Sequence, residues 1–401
     1  MIALTLQCIF WLCIGAIAYN YVGYPTLLYV LGFFIEDSSG PKNNSASSGE
    51  PEFLPRIAIL ISALNEELVI EERVNNLLAI DYPPHLVEIL IGLDAPADAT
   101  PEISKRTATE RIQVFHFTTR RGKVGVISDL SQRTTADILV FTDANTHFEP
   151  DCVANLIRHF TDRRVGAVSG EELRITTGSS DPAAEGLYWK YECALKVLES
   201  RVHCLHSANG GVYAIRRELF QPQPGMIVED FQIPLALRFA GHWIVYDPAA
   251  IAVEEIAPSF QSQFERRIRL GAGNFQTLVG HPEYLNPFKG RPAFAYWSHR
   301  VLRWLTPLLL ILALVVSAAL SFEKFYLGCF LAQLIFYLLA GIGFWRKKFG
   351  KSPGALKIPL YFCSMNLAMF FGMVRFLRGR QSAAWAATPR GAGGKTLPTT
   401  K

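Results

Sequence analysis

Asp143 closes the apolar run Ile138-Leu139-Val140-Phe141 in the segment DILVFTDANTHFEP, and Asn145 follows two residues later. A carboxylate at a strand end, with an amide oxygen beside it, can hold Mg²⁺ or Mn²⁺. These hard cations take oxygen ligands and accept phosphate oxygens as the rest of their shell. A metal there neutralises charge on a nucleoside-diphosphate leaving group. The plainer alternative is a solvated Asp that opens a loop. Glu229-Asp230, in MIVEDFQIPLALRFAG, begins an apolar helical pattern. Asp230 is a candidate general base that takes the proton from an attacking hydroxyl. The alternative is a helix cap, a position where Asp is favoured.

Other residues fit a phosphate-bearing substrate. Lys123, in RRGKVGVIS, begins a helix after a turn. A lysine at a helix N-terminus suits a phosphate, unless it is an ordinary surface lysine. Arg266, Arg267 and Arg269, in ERRIRLGAGNF, carry guanidinium groups that grip phosphate oxygens two at a time. They suit a departing diphosphate, or else acidic lipid headgroups. Gly271-Ala272-Gly273 follows a basic helical stretch, not a strand, and lacks a third glycine, which excludes a dinucleotide loop. Asn209-Gly210-Gly211, in HSANGGVYAIRRELF, either lets an acceptor sugar approach closely or simply turns the chain. The stretch GLYWKYECALKVLESR reads as a packing helix.

The elements that must position these residues alternate. Between 54 and 254, strands are expected over 57–61, 88–93, 113–117 and 138–142, and helices over 66–78, 100–111, 123–133 and 150–160. Such alternation predicts an α/β domain with a mostly parallel sheet and helices on both faces. Ligands of these sheets bind at the carboxyl ends of the strands. Ser62-Ala63-Leu64-Asn65-Glu66, Asp94 and Asp143 all fall at such ends.

The chain has 401 residues, half of them apolar, and a mean hydropathy of +0.19, so membrane segments are expected. Residues 1–35 carry no charge, and the run is too long for a secretory signal. It reads as one tilted transmembrane helix with a kink near Gly23 and Pro25. Residues 36–53 form a polar linker, and 255–303 mix Arg with aromatic and aliphatic residues, as interfacial amphipathic helices do. Within 304–377, segments 305–322 and 325–345 are clear spans joined at Glu323-Lys324, and 356–377 is a third candidate; 378–401 is a basic tail. Arg346-Lys347-Lys348 with Lys351, and Arg375 with Arg378 and Arg380, both call for the cytoplasm. A simple crossing by 356–377 cannot satisfy both, which leaves a re-entrant segment or an exception to the rule. The seven cysteines, with no CxxC pair, suit a reducing compartment and no zinc site. No nucleic-acid partner is expected.

In this order the motifs resemble those of the membrane-embedded family-2 glycosyltransferases, the group of the hyaluronan, poly-N-acetylglucosamine and cellulose synthases. The resemblance covers nearly the whole chain. ISALNEE resembles the opening nucleotide-binding stretch, Asp94 in DAPADAT the uridine-side aspartate, and Lys123 a basic residue near the nucleotide. Asp143 matches the first Asp of D-x-D, and Glu229-Asp230 the E-D pair that carries the base. The family's Q-x-x-R-W falls on Arg266-Arg267-Ile268-Arg269-Leu270, where only Arg269 is kept. Leu270 replaces the Trp that seats a growing polymer, and Asn145 replaces the last Asp of D-x-D. Trp385, Thr388 and Arg390 resemble a C-terminal cytoplasmic motif of relatives.

The resemblance implies a GT-A domain on the cytoplasmic face of the plasma (inner) membrane and inverting transfer with Asp230 as base beside Glu229. It implies a nucleotide-sugar donor, first of all a UDP sugar, held by Ala63, Leu64, Glu66, Asp94 and Lys123. Mg²⁺ or Mn²⁺ would sit at Asp143 and Asn145, and the diphosphate at Arg266, Arg267 and Arg269. A saccharide or lipid-linked acceptor would lie at Asn209, Gly210 and Gly211. Two alternatives stay open: transfer of one sugar to a polyprenyl-phosphate lipid, and a membrane sensor that binds nucleotide sugar without turnover.

Overall fold

The computed structural model describes residues 1–35, 54–175, 183–222, 225–255 and 260–379. The tail motif Trp385, Thr388 and Arg390 lies outside the described residues. The chain divides into two units, one built from 1–31, 179–195 and 259–381, the other mainly from 32–178 and 196–258.

The second unit carries an eight-stranded sheet: β1 (Ile57–Ala63), β2 (Val87–Asp94), β3 (Ile112–Phe117), β4 (Ile138–Asp143), β5 (Thr146–Phe148), β6 (Val165–Ile175), β7 (Tyr213–Arg216) and β8 (Trp243–Glu255). Their order across the sheet is β3-β2-β1-β4-β7-β6-β8-β5. The four strands read from the sequence form the parallel half. The other half is mixed: β7 runs antiparallel to β4 and β6, β6 parallel to β8, and β5 antiparallel to β8. Every residue of β1 is buried, which is why it reads as an uninterrupted apolar run rather than an alternating one. At Gly92 a Cβ would stand 2.3 Å from Val126 Cγ1, so glycine lets the helix Gly122–Ser131 pack close against β2.

The register aligns the strand ends that matter. Ala63 pairs with Leu93, and Ser62 with Asp143, so the chain leaves β1, β2 and β4 at one rim. Several expected helices are shorter. The first begins at Ile70, not 66, because Val69 N and Ile70 N both donate to Glu66 O in a preceding turn. The second ends at Arg106, and Thr109 bridges Ile112 in the turn into β3. The expected 150–160 helix is an α-helix over Cys152–Ile157 continued as a 3₁₀ turn over Arg158–Thr161.

Among the described residues the first unit holds four helices long and apolar enough to cross a membrane: Ile2–Leu31, Arg291–Ala319, Lys324–Lys348 and Gly354–Leu377. The first is interrupted by a π-helical turn over Tyr19–Gly23, just before Pro25, near the expected kink. Residues 291–303, expected among the interfacial helices, begin the second long helix, through a π-helical turn over Tyr296–Val301. The amphipathic helix is Phe260–Gly280.

The two π-helical turns meet through polar groups, as widened turns leave backbone atoms needing partners. Asn20 Nδ2 donates to Ser298 O at 2.6 Å, Tyr19 and Ser298 hydroxyls bond at 2.9 Å, and Arg303 Nε donates to Asn20 Oδ1 at 3.2 Å. Arg303 also pairs with Glu192, on the segment of helix Ala183–Arg201 that belongs to this unit.

Candidate functional site

The rim is shaped by two unusual backbone positions. Asn65 and Ala95, just past β1 and β2, adopt φ of 53° and 52°. Residues other than glycine take this conformation only when their surroundings impose it. Here Asn65 Oδ1 accepts from Ala97 N at 2.7 Å, and Ala95 N donates to Phe117 O at 2.9 Å. Ala63 and Leu64 are buried, and Glu66 N donates to Thr100 Oγ1 at 2.7 Å.

Asp94, with no exposed surface, accepts from Arg121 N at 2.6 Å, Gly122 N at 3.0 Å and Arg120 Nε at 3.3 Å. Gly122, at φ 73°, lets the backbone fold around that carboxylate. Asp94 thus fixes the start of the helix that carries Lys123.

Lys123 gathers the other candidates. Its Nζ lies 2.8 Å from Asp143 Oδ1 and 2.8 Å from Glu229 Oε1, and donates to Gly210 O at 3.3 Å. Burial works against its charge, but Asp143, Glu229 and Tyr213 outweigh it and hold the ammonium well above the usual lysine range.

Asp230 sits one residue into helix Glu229–Phe239. Its own carbonyl accepts from Ala208 N at 2.8 Å, and a Cβ on Gly210 would stand 3.0 Å from its Oδ2. No side-chain cap bond is made at this helix start. Burial, and then the Glu229 carboxylate, push Asp230 up to about 6 against the pull of Lys123 and Lys196. A carboxyl with that value exchanges protons readily near neutrality.

Asp143, Glu229, Asp230, Lys123 and Gly210 therefore come together. Asn209 is buried beside them with its side chain engaged: Nδ2 donates to Gly170 O at 2.7 Å, and Oδ1 accepts from Lys196. Gly211 leaves room for Thr146 Oγ1, 2.9 Å from where its Cβ would be. Arg266, Arg267 and Arg269 stand on helix Phe260–Gly280 of the other unit, where Arg267 Nη2 donates to Tyr361 Oη at 2.9 Å.

Sequence reasoning passed over Lys196, on the helix given no role, and Tyr213. Lys196 is buried and reaches the Asn209 amide. Nothing in its local pattern separates it from a surface lysine. Tyr213 opens β7 and stacks on Phe141 at 4.6 Å; its place after Gly210-Gly211 was the available signal.

The residues at the end of β4 suit a hard divalent cation. Asp143 is 31% exposed at the strand end, and the partly buried Asn145 supplies a second oxygen. The Lys123 ammonium bridging Asp143 and Glu229 marks a point that already attracts positive charge.

Residues 58–219 match the family described as Glycosyl transferase family 2. The chain is 28% identical to the beta-monoglucosyldiacylglycerol synthase of Trichormus variabilis, over 57% of this chain and 51% of that one. It is 24% identical to the poly-beta-1,6-N-acetyl-D-glucosamine synthase of Staphylococcus aureus, over 56% of each. The chain thus spans about half the length of the curated relatives it matches. Among solved structures, a mannosyltransferase from Pyrobaculum calidifontis, in complex with GDP-Man and Mn²⁺, superposes with a TM-score of 0.69. It has 21% identity and covers 94% of this chain and 100% of that one, which shows a shared fold.

Proposed function

Because the chain carries a glycosyl transferase family 2 domain, we propose that it transfers a sugar, with inversion, from a nucleotide donor to a saccharide acceptor at the cytoplasmic face of a membrane. The observation that carries this reading is the gathering of the Asp143 and Glu229 carboxylates around the Lys123 ammonium, with Asp230 next to Glu229 and raised by it, at the end of β4.

Ala63, Leu64 and Glu66 line the nucleotide end, and Asp94 holds the loop that presents Lys123. A divalent cation at Asp143 and Asn145 supplies charge neutralisation at the donor diphosphate when bound. Lys123 lies against the same carboxylate and is placed to follow the leaving group's charge. Asp230 takes the acceptor proton as the hydroxyl oxygen attacks the anomeric carbon. Glu229 keeps Asp230 proton-hungry by like-charge repulsion. Gly210, with no side chain, leaves the acceptor a path to that carboxylate. Arg266, Arg267 and Arg269 carry guanidinium groups suited to a phosphate-bearing ligand. The four long apolar helices anchor the domain.

A short glycolipid product is the second reading. It is favoured by Leu270, which stands where polymer-seating relatives carry Trp, and by the likeness to a beta-monoglucosyldiacylglycerol synthase. Membranes containing the protein, incubated with a panel of labelled sugar nucleotides and Mg²⁺ or Mn²⁺, give labelled polymer under the first reading. They give label in a short lipid extract under the second. Nucleotide bound with neither transfer nor hydrolysis removes both and leaves the sensor.

A further inference from the structure

Arg73, on helix Ile70–Leu78, is the largest fully buried side chain among the described residues. Its Nη1 donates to Asn76 Oδ1, its Nη2 donates to Thr142 Oγ1 at 2.8 Å, and its guanidinium lies 4.4 Å from the centre of the Phe148 ring. Nε has no hydrogen-bond partner. Among the described residues no carboxylate lies within ion-pair distance of it. Burial lowers it to about 9, against the pull of Cys152 and Asp143.

Its neighbours give the position meaning. Thr142 immediately precedes Asp143, and Phe148 ends β5. Asn76 clamps Phe148 on both sides, accepting from its N at 2.9 Å and donating to its O at 2.8 Å. Both feet of the turn that carries Asp143 and Asn145 are therefore tied to one helix by two neighbouring side chains. A neutral group of similar shape would tie them without a buried ion. A buried cation that no carboxylate touches points to a negative charge that arrives with the ligand.

We infer that Arg73 is a positioning residue for the Asp143–Asn145 turn and that its fixed charge offsets the diphosphate of the bound donor. This rests on the donor reading given above. In a low-dielectric interior a fixed charge acts beyond contact distance, and it needs no reorganisation when the ligand arrives.

The test uses the full chain, purified in detergent, titrated with UDP and with GDP in the presence of Mn²⁺, with the melting temperature and the donor KM and kcat measured alongside. Arg73→Met is expected to weaken nucleoside-diphosphate binding roughly tenfold, the order for one unit charge about 12 Å away at an effective dielectric of about 20. It raises KM more than it lowers kcat. Its melting temperature holds or rises, because an apolar group replaces a buried ion. Arg73→Lys recovers most of the affinity. Wild-type binding in Arg73→Met overturns the proposal. So does an equal loss in both variants with a fallen melting temperature, which leaves a purely structural role. Asp143→Asn separates the two readings: binding lost there but kept in Arg73→Met sinks the Arg73 assignment alone. A wild-type chain that binds no nucleoside diphosphate removes the donor reading and this one with it.

Discussion

Two cations in this chain, Lys123 and Arg303, keep opposite company. In the sheet-bearing unit one ammonium, Lys123, contacts the carboxylates of Asp143 and Glu229, with Asp230 next in sequence to Glu229. In the unit of long apolar helices one guanidinium, Arg303, meets one carboxylate, Glu192. The Tyr21, Tyr188 and Tyr191 rings surround it at 5.0, 6.0 and 5.5 Å. The first cluster has an excess of acid and opens to solvent at Asp143, 31% exposed; the second is balanced and closed, its partners 10% and 9% exposed. Burial opposes the charge on Glu192, but Arg303 and His299 hold it well below the usual carboxylate range, whereas Asp230 is pushed up. Surplus charge of one sign leaves a group ready to bind a cation or take a proton, while matched charge only holds segments together.

The largest break in this contrast comes at Asp230. Asp230→Asn keeps its shape and loses the proton acceptor, so transfer should fall by about two to four orders of magnitude. Nucleotide binding should remain, because the groups assigned to the donor are untouched. Turnover by the variant at the wild-type rate removes Asp230 from the chemistry and dissolves the difference between the clusters.

The matched cluster should answer with stability. Glu192→Gln leaves the Arg303 charge buried without its carboxylate, a change that destabilises by about 3–5 kcal/mol. Glu192's depressed value means its contribution is full above the unfolded carboxylate value and is lost as pH falls through the lower folded value. A melting temperature equal to wild type for Glu192→Gln in detergent would show that the pair holds nothing.

What the sequence revealed follows the same division. Strands β1 and β4 were legible because both faces are covered and no charge interrupts them, and Asp143 stood out as the polar residue that ends such a run. Asp230 was legible for the same reason at a helix start. The mixed half of the sheet was not: β6 carries Glu171, Glu172 and Arg174, and their sense appears only when Arg174 Nε reaches Glu172 at 2.9 Å and Glu254, its partner on the neighbouring strand β8, at 3.9 Å. Residues 291–303 read as interfacial because they mix Arg with aromatic and aliphatic residues, yet the partner of Arg303 lies 111 residues away in sequence. Arg73 did leave a trace. It shares a helical face with Ile70, Val74 and Leu77, all buried, where a surface arginine does not belong.

A smaller effect tests the acid surplus directly. With Asp230 at about 6, kcat/KM should fall about tenfold per pH unit below that value, since only the ionised carboxylate accepts a proton. Glu229→Gln removes the like charge that raises it, so the acidic limb should move to lower pH. A limb that stays in place assigns it to another group.

The smallest expected effect compares two glycines. At Gly210 a Cβ would lie 3.0 Å from Asp230 Oδ2 and 3.5 Å from its Cγ, so Gly210→Ala must displace that carboxylate by a few tenths of an ångström. Gly210 is not among the positive-φ residues, so backbone strain contributes nothing. Displacement of a reacting group by such an amount costs roughly tenfold or less in kcat. Gly341, in the third long apolar helix, has no atom within 4 Å of its Cβ position. Gly341→Ala should leave kcat alone and gain up to about 1 kcal/mol of helix stability. Equal kcat in the two variants means the Asp230 carboxylate tolerates movement, and the acid-rich cluster is then less tightly set than its distances suggest.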